Sequence, residues 1–149
     1  MYGHILIATD GSDVATRGVD HGLSLAKALG ARVTVVFATE PFPFPSRAIG
    51  AGWSATATDM ERYEASQKDY AEGVLKAVRD RADAMGVKAE TVHVPDAHPA
   101  TAIIDTAKAR DCSLIVMASH GRRGIGRLIL GSQTAEVLSH SPVPVHVVR

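Results

Sequence analysis

Cysteine is almost absent: one, Cys112, in 149 residues. A lone thiol cannot close an intramolecular disulfide, so packing must hold the fold, and a reducing compartment is the natural expectation. Cys112 lies between Asp111 and Ser113 at the entry to an apolar run, where a thiol is expected to pack rather than react. Net charge is missing too. Sixteen basic residues balance sixteen acidic ones, which leaves no electrostatic reason to expect nucleic acid or an anionic membrane as partner. No apolar run approaches the ~18 residues that span a bilayer, and Met1 to Thr9 lacks the basic start and long apolar core of a signal peptide. The expectation is a cytoplasmic protein of one domain, residues 1–149, long enough to bury a core without metal or disulfides.

Several enzyme signatures are also absent. The run Gly121-x4-Gly126-Arg127-Leu128 has the glycines of a P-loop but neither its lysine nor its magnesium-binding hydroxyl. No Gly-x-Gly-x-x-Gly follows the first apolar run, which argues against a dinucleotide oxidoreductase. A Gly-x-Ser-x-Gly elbow is missing, which argues against an α/β-hydrolase. A phosphorylatable receiver domain would need a lysine after the fifth strand, where the chain offers none.

What is present is an alternation of apolar runs with segments of helical period. His4 to Thr9 reads as a strand covered on both faces, since Ile5, Leu6 and Ile7 are continuously apolar. Asp10-Gly11-Ser12-Asp13 is a turn that caps a helix running to Leu29, with Gly30 as its stop. Arg32 to Ala38 is the second strand. Pro41 to Ala57 carries three prolines, two glycines, Phe42, Phe44 and Trp53, and reads as a loop folded over the body of the domain, or as a lid over a ligand. Thr58 to Glu61 has capping-box spacing before a long helix with Tyr63, Tyr70, Val74, Val78, Ala82 and Met85 on its inner side. Val87 to Val94 alternates as an exposed edge strand does. Pro99 opens a helix that buries Ala102, Ile103, Ile104 and Ala107, Leu114 to Ala118 is a fourth strand, and Gly131 or Ser132 starts a helix ending near His140. Val143 to Val148 is the fifth strand.

Five strands with four intervening helices imply an α/β fold: an open five-stranded parallel sheet with helices on both faces, Rossmann-like. Ligands of such sheets bind beyond the carboxyl ends of the strands, where strand order reverses. If the first and fourth strands are neighbours there, Asp10 faces the stretch from Gly121 to Ser132 across one crevice. Amides at a helix N-terminus carry partial positive charge and favour phosphate, so this stretch reads as one wall of a nucleotide-phosphate site.

These residues resemble the universal stress protein family over nearly the whole chain. The likeness rests on Ala8-Thr9-Asp10-Gly11-Ser12, Met117-Ala118-Ser119-His120-Gly121, then nine residues, Gly131-Ser132, and a closing Pro-Val-Pro-Val-His-Val-Val. ATP-binding members of the family carry Gly-x2-Gly-x9-Gly-(Ser/Thr); here alanine, Ala118, replaces the first glycine. An extended backbone accepts alanine without strain, and the methyl group removes no hydrogen-bonding group.

The resemblance implies an adenine nucleotide alpha hydrolase-like fold and a regulatory, ATP-binding stress-response protein. Asp10 would receive ribose hydroxyls, Ala8, Thr9 and Ala38 would line the adenine side, and Met117 and Ala118 would approach the nucleoside. His120, Gly121, Gly131, Ser132, Gln133 and Thr134 would surround the phosphates, which would carry Mg2+ or another divalent cation. Arg122, Arg123 and Arg127 lie outside the family's marked pattern and are read either as phosphate partners or as solvated loop residues. No catalytic residue is identified, so hydrolysis would at most be slow. The resemblance also implies a homodimer paired through Val143 to Val148. The alternative is a nucleotide-free interaction module of the same fold.

Plainer readings stand beside these. Asp10 could simply shape its turn. His120 reads better as a structural hydrogen bonder than as a catalyst, His93 and His98 about Asp96 form an incomplete metal site, and His146 reads as packing.

Overall fold

In the computed structural model, which describes residues 1–43, 56–119 and 130–149, strands and helices alternate as the apolar pattern requires. They are β1 (His4–Ala8), α1 (Asp13–Leu29), β2 (Arg32–Ala38), α2 (Ala57–Met85), β3 (Ala89–Val94), α3 (Pro99–Ala109), β4 (Leu114–Ala118), α4 (Ser132–His140) and β5 (Val145–Val148). The strands pair in parallel in the order β3-β2-β1-β4-β5. The expected α/β sheet is therefore present, and β1 does lie beside β4.

Successive residues of a strand point to opposite faces, and here each face finds its own helices. Ile5, Ile7, Val33, Val35 and Val116 meet Val19 and Leu23 of α1 and Leu75, Val78 and Ala82 of α2. Leu6, Ala8, Val36, Ile115 and Met117 meet Ile103 and Ala107 of α3 and Val137 of α4. Ile5, Leu6 and Ile7 are each 0% exposed, and each such side chain contributes roughly 1.5–3 kcal/mol of burial. α1 lies close on the sheet because Gly22 has no side chain: a Cβ there would stand 2.6 Å from Ile7 Cδ1.

α1 begins where the Ser12 hydroxyl accepts the Ala15 amide at 3.1 Å and ends at Gly30 with φ of 63°. The expected capping box of α2 shifts two residues earlier. Thr56 and Asp59 make it, the Asp59 carboxylate accepting the Thr56 N–H at 3.0 Å and the Thr56 hydroxyl accepting the Asp59 N–H at 3.1 Å. These bonds hold the Asp59 carboxyl below its ordinary value.

The inner side of α2 also differs from expectation. Ala71, Leu75, Val78 and Ala82 are its buried residues, while Tyr70 is 42% exposed. The buried residues of α2 begin at Ala71, and none before it is buried. Tyr70 lays its edge on Phe37, and the Tyr63 hydroxyl donates to the Glu40 carbonyl at 3.0 Å. Val74 and Met85 are only partly buried. Most of the expected loop or lid between Pro41 and Ala57 lies outside the described residues.

β3 is an edge strand, as its alternation implied. β5 forms the other edge and starts at Val145 rather than Val143. His146, expected to pack, is exposed. The Pro144 and Val148 carbonyls accept from Ile115 and Ser119 of β4 or its end, so the backbone groups of Val145 and Val147 face away from the sheet. Cys112 is 5% exposed, and burial pushes its thiol up to about 11. It packs, as read from sequence. Among the described residues, no helix is long and apolar enough to cross a membrane.

His4 is buried on β1 with Nε2 at 2.8 Å from the Thr34 hydroxyl. Burial, and after it the Arg32 guanidinium, lowers its pKa from 6.5. A folded state that resists protonation contributes stability above the unfolded pKa and loses it as pH falls. Urea midpoints are therefore expected to drop as pH falls below 6.5, and His4→Gln should flatten that slope. An unchanged slope in the variant would remove His4 from the effect.

Candidate nucleotide crevice

The turn after β1 is tied by its own side chains. Asp10 Oδ1 accepts the Ser12 N–H at 2.9 Å, and the Thr9 hydroxyl accepts the Gly11 N–H at 3.2 Å. Gly11 has φ of 79°, and a Cβ there would fall 2.6 Å from the Tyr70 hydroxyl oxygen. Only glycine fits both demands. The result presents Asp10, partly exposed, at the mouth of the β1–β4 reversal.

Across the reversal, α4 is pinned to the end of β4 at two points. The Thr134 hydroxyl donates to the Ala118 carbonyl at 3.1 Å, and the Gly131 N–H donates to the Ser119 carbonyl at 2.9 Å. Both bonds correct the sequence reading. The Gly131 amide and the Thr134 hydroxyl proton were expected to serve a phosphate, and each is spent inside the protein. The next amides stand at the start of the helix. Ala135 is the first residue of α4 to reach back to Gly131, so the N–H groups of Ser132, Gln133 and Thr134 have no acceptor within the helix. Gly131, the N-cap, has no side chain to offer them.

Gln133 links this helix to α3. Its Oε1 accepts the Ala100 N–H at 2.9 Å, and it does so where His98, the N-cap of α3, makes no side-chain cap bond. One helix thus caps the next from outside. The two N-termini are held side by side, and positive helix ends gather on one place.

Between them and the sheet lies a mostly apolar cleft of about 610 Å³, open mouth included. Its floor is Ala8, Val36 and Met117, its α3 side Pro99 and Ile103, and Ala15 stands behind it. Thr9, Asp10, Ala38, Ala118, Gln133 and Thr134 form the rim. Small residues make the room: alanine stands at three strand-end positions, Ala8, Ala38 and Ala118. Ala118 lies within β4, and among the described non-glycine residues only Asp96 and Asp111 have positive φ. The alanine in the first glycine's place is therefore unstrained.

The structure thus gathers Ala8, Thr9, Asp10, Ala38, Met117, Ala118, Gln133 and Thr134 about one cleft. Gly131 and Ser132 stand at its α4 end without lining it. His120, Gly121, Arg122, Arg123 and Arg127 lie outside the described residues. Sequence reasoning missed Ala15, Val36, Pro99 and Ile103. Strand alternation carried a signal for Val36, which shares a face with Ala8 and Met117. Pro99 was read as a helix start and never as a wall.

Neither histidine near Asp96 builds a metal site. His93 faces the Thr39 hydroxyl at 2.9 Å, and burial lowers its pKa. Among the described residues, no group of three or more His, Cys, Asp or Glu side chains could hold a metal ion.

The sequence pattern of the Universal stress protein family matches residues 1–149. The chain belongs to this family. A universal stress protein of Thermus aquaticus is 36% identical over 149 residues, all of both chains. One from Methanocaldococcus jannaschii is 31% identical over all of this chain and 83% of that protein. A solved universal stress protein in complex with cAMP is 26% identical, with a TM-score of 0.68 over 99% of this chain and 97% of that one.

The Gln133 link gives a direct test. Gln133→Leu should cost about 1 kcal/mol, as loss of a helix cap does, read as a lower urea midpoint. Gln133→Glu, which keeps an acceptor, should recover most of it. Equal stability of all three proteins would show that the 2.9 Å contact contributes nothing.

Proposed function

We propose that this universal stress protein binds an adenine nucleotide in the β1–β4 crevice and acts as a regulatory ATP-binding protein. The observation that carries the reading is the adjacency of an apolar cleft, lined in part by Asp10, to the first amides of α4, which have no acceptor within the helix. A flat base suits the apolar floor, ribose hydroxyls can donate to Asp10, and phosphates suit the α4 amides. The related protein solved with cAMP supports the same ligand class. Divalent cation, Mg2+ foremost, would be carried by the phosphates, since the described residues supply no cluster of their own. Hydrolysis is proposed to be slow at most, since among the described residues that line the cleft the one ionisable side chain is Asp10, which already accepts the Ser12 N–H.

Calorimetric titration with Mg-ATP, AMP and cAMP tests the reading. A micromolar dissociation constant, about −8 kcal/mol, is expected for the preferred nucleotide. Asp10→Ala should weaken it by about 10- to 100-fold, the loss of hydrogen bonds to a charged group, and Ala38→Trp should fill the rim and abolish it. No binding of any of the three by the unaltered protein would overturn the proposal in favour of a nucleotide-free interaction module.

Either way, the protein is proposed to work as a homodimer through β5. In support, Val145 and Val147 turn their backbone groups away from β4. Val147→Pro removes an outward N–H without touching the β4–β5 ladder. It should convert a dimer into a folded monomer by sedimentation. A variant that stays dimeric would place the interface elsewhere.

A further inference from the structure

Five of the described histidines fall into two kinds. His4 faces the Thr34 hydroxyl, His93 the Thr39 hydroxyl, and His140 the Glu136 carbonyl of its own helix. His21 on α1 and His146 on β5 instead face each other. Their ring centroids are 4.8 Å apart with planes inclined by 22°, both residues are exposed, and neither ring has a hydrogen bond among the described residues.

We propose that His21 and His146 form a two-imidazole site for a divalent transition metal of the Zn2+, Ni2+ or Cu2+ class. With metal–nitrogen bonds of about 2.0–2.1 Å, two imidazoles sharing one ion at tetrahedral to square angles hold their centroids roughly 4.5–5.2 Å apart. The observed 4.8 Å lies inside that interval. Turning the ring nitrogens onto a common point needs rotation about χ2, a broad torsion in histidine and unhindered at an exposed position.

The surroundings select the kind of ion. Asp20, the carboxylate next to His21, is paired with Arg81. Arg17 and Arg149 stand along the groove beside His21. The two donors that face each other are imidazoles, which suit zinc, nickel and copper better than oxygen-seeking Mg2+ or Ca2+. Water completes the coordination. An ion held there joins the last strand of the sheet to the helix that packs over β1 and β4, and so restrains the β5 edge. This site is separate from the nucleotide crevice.

The test is titration of the full-length, chelator-treated protein with ZnCl2 and NiCl2, followed by calorimetry and by thermal unfolding. One ion per chain is expected, with the melting temperature rising as zinc is added. His21→Ala and His146→Ala, both at exposed positions, should each weaken binding by about tenfold or more, at least what loss of an outer supporting group costs, and should remove the thermal shift. His98→Ala should change neither. Binding unaffected by either substitution, loss of binding in His98→Ala, or no saturable binding by the unaltered protein would overturn the proposal.

Discussion

Pairing of β1 with β4 is the constraint from which the crevice follows. The chain leaves these neighbouring strand ends toward opposite faces of the sheet, through the β1 turn to α1 and onward to α4. A cleft lies at their carboxyl ends, as it does in doubly wound sheets generally. The two bonds from Thr134 and Gly131 to the end of β4 then fix the start of α4 at the lip of that cleft. They consume two groups that the sequence assigned to a ligand. In exchange, they aim the three amides that follow.

The rest of the site is shaped by what is small or shared. Ala8, Ala38 and Ala118 keep the strand ends low, while Gly11 lets Tyr70 close over the β1 turn. Gln133 joins the N-termini of α3 and α4, the two helices that wall the cleft. Such a site is carried by helices and strands and is held before any ligand arrives. Asp10 illustrates how the two readings of one residue merge. One carboxylate oxygen shapes the turn, and that same bond orients the group that lines the cleft.

The fold was legible because apolar runs such as Ile5 to Ile7 admit only strands covered on both faces, and Gly30, Gly86 and Pro99 punctuate the helices. Where the reading slipped, a local rule met a tertiary one. Tyr63 and Tyr70 follow helical period with Val78, yet Tyr63 is only half-buried and Tyr70 is exposed, while the sheet is met by Ala71 and Leu75. Thr58 had the spacing of a cap, but Thr56 had it as well. The crevice was half legible: family likeness located Asp10 and Gln133, whereas the bond from Gly131 to Ser119 depends on a closing geometry that spacing alone does not encode. Val36 and Ile103 were hidden for a related reason, since a wall built from core residues looks like core in one dimension.

The central claim is that phosphate meets the first amides of α4 while the base occupies the apolar-floored cleft. Backbone amide spectra of isotopically labelled protein, recorded as Mg-ATP is added, test it most directly. The account predicts the largest displacements at Ser132, Gln133 and Thr134, with base-dependent changes at Val36 and Ala38 when AMP or cAMP replaces ATP. Displacements that avoid both sets, or that cluster on another face of the sheet, would contradict it.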